Sequence, residues 1–273
     1  MAIEYEKIFK WLENVEGKMT RRGYIPCYRN SGGTANYNGT QPVTEYRAMG
    51  VSGVTIGVGV DLGQQTVSQL RRWGVSAPTL DKVRPYIGKR QGEALRALRN
   101  APLMLTQEEA EELTQAEHRG YMGDVVVPWW NHKEHVMQYE DLPWQAQCVL
   151  FSIVYQCGVK GAERRGPVTI SAMRKGDWAK ASAALMDRDG WGGEYLGRRA
   201  AEGRLLAGLC AELEEECRSR SASSSAAAED VPKRRTACAL SCQNVGYTTG
   251  APDASTSERW MEPGFPPASV PKS

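Results

Sequence analysis

A chain of 273 residues with 41% hydrophobic content can bury one full core, or a core plus an appendage. The formal charge is only +2, and the first 217 residues carry 27 basic and 27 acidic side chains, which excludes broad electrostatic binding to nucleic acid. No apolar run approaches the roughly 20 residues of a membrane span, so no membrane insertion is expected. The start, Met1-Ala-Ile-Glu-Tyr-Glu-Lys7, has acids where a secretory leader is basic and then apolar, so synthesis in the cytoplasm without such a leader is expected.

Ile8, Trp11, Leu12 and Val15 recur at helical spacing and predict a helix over residues 3–15 with one buried face, with Glu16 at its C-terminal end. Residues 24–53 hold Gly32-Gly33, Asn36, Asn38-Gly39, Pro42 and Gly50, too many turn formers for a helix, and Val54 to Val60 favours extended backbone. A short antiparallel β region follows from this. Helical patterns then cover 65–73, 79–88, 91–99, 107–122, 143–157, 168–173, 177–186 and 193–216, and Thr106 with Glu109 forms a capping box for the fourth. The expected class is α+β, mainly α, with one small β region near the N-terminus.

After residue 217 the periodicity stops. Residues 218–273 open with Ser-Arg-Ser-Ala-Ser-Ser-Ser-Ala-Ala-Ala, close on several Pro and Ser, and have few large aliphatics. They are expected to form a low-complexity, disordered tail to a domain spanning 1–217. The seven cysteines, Cys27, Cys148, Cys157, Cys210, Cys217, Cys238 and Cys242, lack the paired spacing of a zinc site, so most are expected to be buried or incidental thiols.

The run Ser52-Gly-Val-Thr-Ile-Gly-Val-Gly-Val-Asp-Leu-Gly-Gln-Gln65 carries the most information. Its glycines, set among apolar positions, ask for close backbone approach, and they allow a strand bearing Thr55 and Asp61 on one side to bend around a ligand. A hydroxyl and a carboxylate facing one cavity can hold and polarise a water, while a protonated carboxyl on another element protonates the leaving oxygen of a glycosidic bond. Glu16 is the leading candidate for that acid. It ends a helix, precedes Gly17, and would emerge from an apolar face where partial desolvation favours the protonated form. Glu45 competes, lying nearer Thr55 in sequence, but Pro42-Val-Thr-Glu-Tyr46 reads as a turn into a strand.

Four runs together resemble the phage-type lysozymes and the pesticin-like bacterial toxins. Glu16-Gly-Lys-Met-Thr-Arg-Arg-Gly-Tyr24-Ile-Pro is similar to their opening motif, and Ser52 to Gln64 to their SGVTIGxGxDLGQ motif, with a Thr-to-Asp spacing like that of the pesticin branch. Ser152-Ile-Val-Tyr155-Gln-Cys-Gly158 resembles the central helix, and Leu196-Gly-Arg-Arg-Ala-Ala-Glu202-Gly-Arg-Leu-Leu206 a helix near the end of the lysozyme fold. Two departures stand out: a longer stretch between Glu16 and Thr55 than in compact phage enzymes, and Gln156 where the family often has Asn.

The resemblance implies a two-lobed lysozyme-like domain that hydrolyses the β-1,4 bond between N-acetylmuramic acid and N-acetylglucosamine. In this reading Glu16 is the general acid, Thr55 and Asp61 hold the attacking water, and Tyr24, Gln64, Tyr155 and Gln156 contact the glycan. No cofactor or metal is implied. The implied partners are peptidoglycan glycan strands and an immunity or inhibitor protein, and a monomer is expected. Acting on the wall then requires delivery by a phage lysis system or a secretion machine. The rival readings are a lytic transglycosylase and a peptidoglycan-binding module that keeps the fold without activity.

Other features read more plainly. Gly57-Val-Gly59 lacks the strand, sixth-position glycine and distal acid of a dinucleotide fingerprint. His132-Lys-Glu-His135 has the wrong spacing for a zinc helix and follows Pro128-Trp-Trp-Asn131, which reads as a loop. Trp129 and Trp130 are expected in the core in preference to a sugar-stacking role. Arg198 and Arg199 are expected to form surface pairs with Glu194 and Glu202.

Overall fold

In a computed structural model of the chain, residues 2–187, 191 and 195–224 are described, without the side chains of 221–224. Among them the chain divides into two compact units, one of Tyr5–Asp124 and one of residues 2–4 with Val125 onward.

The first unit opens with α1 (Tyr5–Glu16), which buries Ile8 and Leu12 completely. The helix stops at Gly17, whose φ of +101° is the left-handed conformation that ends helices and that glycine enters without steric cost. The sheet is antiparallel throughout. Strand β1 (Thr20–Arg29) pairs along one half with β2 (Thr34–Tyr37) and β3 (Tyr46–Ala48), and along the other with β4 (Thr55–Gly57), which in turn pairs with β5 (Val60–Asp61). The β1–β4 register shifts between Thr20 and Tyr24, where the side-chain-free Gly23 packs against Leu103 and Val54 and donates its N–H to Leu103 O at 3.0 Å.

Helices α2 (Val67–Arg72), α3 (Ala77–Val83) and α4 (Gln91–Asn100) close the core of this unit around Ile25, Ile56, Leu62, Leu70, Leu80 and Leu98. The helix expected over 79–88 instead passes into a 3-10 turn, Arg84–Tyr86, at Pro85, which cannot donate to the preceding turn. The expected capping box is present on α5 (Gln107–Tyr121), with Thr106 and Glu109 each satisfying the other's backbone N–H. A π turn, Met122–Val126, continues α5 and contains the end of the first unit.

In the second unit, α6 (Val127–His132) replaces the loop expected around Pro128-Trp-Trp-Asn131. Pro128 lies in its first turn, where a missing N–H costs nothing. Trp130 is fully buried and Trp129 nearly so, as expected for core residues. α7 (Trp144–Arg165) extends past the expected end at 157 because the chain turns at Gly158 (φ +65°) and resumes helix. α8 (Pro167–Arg174) and α9 (Trp178–Met186) follow.

α10 (Leu196–Ser224) runs beyond the expected end at 216 and across the expected tail boundary. Beyond Glu216, Arg220 makes an i,i+4 ion pair with that residue and Ser219 Oγ donates to its carbonyl, both compatible with continued helix. The remaining expected tail, 225–273, lies outside the described residues, as do Cys238 and Cys242. Cys27 and Cys148 are buried thiols, and burial pushes the Cys27 thiol up to about 12.

The largest departure concerns Arg198 and Arg199. The expected surface pairing is corrected by the packing: Arg199 is 1% exposed and Glu202 0%. Arg199 Nη2 reaches Glu202 Oε1 at 3.0 Å, Arg198 Nε lies 3.3 Å from the same oxygen, and Ser152 Oγ donates to it at 2.5 Å. Trp191 stacks under the Arg199 guanidinium at 4.6 Å. A carboxylate bound to two guanidiniums and a hydroxyl is the form in which such charges tolerate burial. Glu194 lies outside the described residues.

Candidate active site

Thr55 and Asp61 do not lie on one bent strand, as the sequence reading had them. They are directly opposed across the β4–β5 hairpin, with Ile56 opposite Val60 and a turn at Gly57-Val58-Gly59. Tyr24 of β1 is the register partner of Thr55 on its other side. Directly opposed residues of antiparallel strands project to the same face, so Tyr24, Thr55 and Asp61 form one row across three strands. The glycines serve the turn: Gly57 and Gly59 have φ of +65° and +76°, which side chains strain to adopt.

Glu16 meets this hairpin from the end of α1. A Cβ on Gly59 would lie 3.3 Å from Glu16 Oε2, so the carboxyl group rests directly on the turn. Gly17 ends the helix at the residue that delivers Glu16 there. Glu45 sits elsewhere, exposed in the 3-10 turn Val43–Glu45.

Asp61 is held tightly. Its Oδ1 accepts from Gly63 N at 2.8 Å and Gly53 N at 3.0 Å, and its Oδ2 lies 3.3 Å from Gly53 N. This requires the two glycines to touch: a Cβ on Gly53 would be 2.5 Å from Gly63 Cα, and one on Gly63 would be 2.6 Å from Lys89 O. Burial raises the Asp61 carboxyl above the ordinary range, against the opposing pull of the Gly53 and Gly63 N–H groups, the Gln64 side chain and the Arg90 charge. Arg90 Nε donates to Gly63 O at 2.8 Å, on the same peptide segment that caps Asp61.

Of the expected glycan contacts, Tyr24 is part of this row and Gln64 ends the 3-10 turn Leu62–Gln64 that follows Asp61. Gln64 is exposed and donates its amide to Val51 O at 3.3 Å. Tyr155 and Gln156 belong to the second unit. The Tyr155 ring stacks on Phe151, and the Gln156 carbonyl accepts from Arg199 Nη2.

The sequence reading missed a buried polar layer on α5. His118, 1% exposed, bonds through Nε2 to Val58 O at 3.1 Å; Thr114 Oγ1 accepts from Val58 N at 3.2 Å; and Gln65 Nε2 donates to Glu117 Oε1 at 3.1 Å. Desolvation drives the His118 imidazole down to about 4 despite the opposing Glu16 charge, so it is neutral at ordinary pH. Thr114 and His118 stand four apart on the same stripe as Ala110 and Leu113, and polar residues interrupting an apolar stripe were the available signal. Among the described residues no group of three or more His, Cys, Asp or Glu is placed to hold a metal ion, and no helix is long and apolar enough to cross a membrane.

Residues 9–179 match the family described as pesticin, a bacterial toxin homologue of phage lysozyme, C-terminal part. The chain belongs to the pesticin family. The match contains Glu16, Tyr24, Thr55, Asp61, Gln64, Tyr155 and Gln156 and stops before the Arg198–Glu202 segment. A mainly α lysozyme-like fold with a small antiparallel sheet near the N-terminus agrees with that membership. Pesticin-like members are, as a family, peptidoglycan-hydrolysing toxins of the lysozyme type. Among curated proteins, none matches the chain significantly.

Proposed function

We propose that the chain is a muramidase that hydrolyses the β-1,4 bond between N-acetylmuramic acid and N-acetylglucosamine in peptidoglycan. The observation that carries this reading is the convergence of three groups from separate elements: Glu16 from a helix end resting on the Gly57–Gly59 turn, and Thr55 and Asp61 paired at the base of the same hairpin. Glu16 protonates the leaving oxygen. Thr55 Oγ1 and Asp61 Oδ2 hold the water, since Asp61 Oδ1 is already taken by two backbone donors.

Attack by a water on the face opposite the acid gives inversion at the anomeric carbon. Tyr24 and Gln64 are proposed as glycan contacts next to Thr55 and Asp61. Action on the wall in the periplasm, after delivery by phage lysis or a secretion machine, and pairing with an immunity protein complete the proposal.

Release of soluble muropeptides from purified peptidoglycan by the full chain tests it. Wild type and Glu45→Gln should release them and Glu16→Gln, still folded, should not. Loss in Glu45→Gln alone reassigns the acid. A folded wild type that sediments with peptidoglycan and releases nothing replaces the enzyme with a binding module.

A further inference from the structure

We infer that Thr114 and His118 are positioning residues for the Glu16, Thr55 and Asp61 site, holding both polar groups of Val58 from one face of α5. The inference rests on the muramidase reading of that site and extends it to two side chains of α5 that bond to the backbone of its turn.

Val58 is the central residue of the turn that connects the strand of Thr55 to that of Asp61. The direction of each bond is fixed by chemistry. Thr114 Oγ1 gives its proton to Ala110 O at 2.7 Å, so a lone pair accepts Val58 N–H. Val58 O can only accept, so His118 Nε2 carries the hydrogen. A third bond, Thr20 Oγ1 to Gly57 O at 3.2 Å, ties the neighbouring residue to β1.

The turn is seated without slack. A Cβ on Gly57 would fall 2.2 Å from Thr114 Oγ1, and one on Gly59 would press on Glu16. The turn is therefore pinned between α5 on one side and the carboxyl of α1 on the other, with Phe9 of α1 5.4 Å from the His118 ring. If the pins are lost, Val58 can move and the acid loses its register with the water-holding pair. The groups facing His118 are Glu16 and Phe9 from α1, the Val58 carbonyl from the turn, and Glu117 Oε2 at 3.8 Å on its own helix. A neutral imidazole donates to the turn without placing a cation next to the acid.

The test measures kcat and KM on purified peptidoglycan strands with the full chain, for Thr114→Val, Thr114→Ser, His118→Leu and His118→Gln, each checked for folding by circular dichroism. Because a misplacement of about 1 Å can cost about 100-fold in rate, Thr114→Val and His118→Leu should lose about 10- to 100-fold in kcat, with KM changed by less than about threefold. Thr114→Ser keeps the hydroxyl and His118→Gln can restore a donor, so both should recover most of kcat. The inference is overturned if the folded apolar variants keep wild-type kcat, or if the conservative variants lose as much as the apolar ones, which would make the effect one of packing. Should His118→Leu fail to fold, the Thr114 pair decides. An active wild type with unaffected variants removes this inference alone; a folded wild type without activity removes the muramidase reading and this inference with it.

Discussion

Lowering the pH from 7 to 4 should destabilise the folded chain by about 3 kcal/mol through His118. The imidazole is buried, and its folded value is about 4 against an ordinary 6.5. Above 6.5 neither state holds the proton. Between 6.5 and about 4 only the unfolded chain binds it, so stability falls as pH falls, and below about 4 the loss is complete. At about 1.4 kcal/mol per pH unit, the window from 6.5 to about 4 gives the figure of about 3 kcal/mol.

The assay is urea unfolding followed by circular dichroism across this range for wild type and His118→Gln. Other groups titrate alike in both proteins, so the difference between their pH profiles isolates His118. Equal losses in the two proteins between pH 7 and 4 would mean that the imidazole accepts its proton equally well folded and unfolded, and that its burial costs the folded chain nothing on protonation.

Asp61→Asn retains an oxygen for the Gly53 and Gly63 N–H groups and should keep urea stability within about 1 kcal/mol while abolishing turnover, whereas Asp61→Ala orphans two buried donors and should lose about 2–4 kcal/mol in the same unfolding assay. Arg90→Gln removes a positive charge that lowers the Asp61 carboxyl; the acid limb of the kcat/KM profile should move to higher pH, and an unmoved limb would deny Asp61 its role in activity. Glu202→Leu leaves the Arg199 guanidinium buried without its carboxylate and should cost about 3–5 kcal/mol by urea unfolding.

Local rules read much of this fold correctly. The apolar spacing of Ile8 and Leu12 gave α1, and Thr106 with Glu109 gave the start of α5, because capping and amphipathicity are written in neighbouring residues. The density of glycine between Ser52 and Gln64 pointed to close approach, and the Gly53–Gly63 contact around Asp61 is that approach. What it could not give was pairing. Thr55 and Asp61 face each other across a hairpin because Gly57 and Gly59 reverse the chain, and a period of two along one strand placed both on one side for a different reason.

Pro128 looked like a loop signal until its position in the first turn of α6 made it compatible with helix. Arg198 and Arg199 carried the spacing of a surface ladder, and only the packing of α10 on α7 turned them inward to Ser152 and Gln156. Thr114 and His118 marked a polar break in the apolar stripe of α5, but their partner, the backbone of Val58, is more than fifty residues away and was not legible from that break.

In the proposed mechanism a water is added across the glycosidic bond by Glu16, Thr55 and Asp61. Mass spectrometry of peptidoglycan digested by the full chain in ¹⁸O-water tests this directly. The expected product carries a reducing N-acetylmuramic acid with one heavy oxygen at its anomeric carbon, absent when Glu16→Gln is used. An anhydro product, lighter by one water and without label, would contradict the account and assign the chain to the lytic transglycosylases.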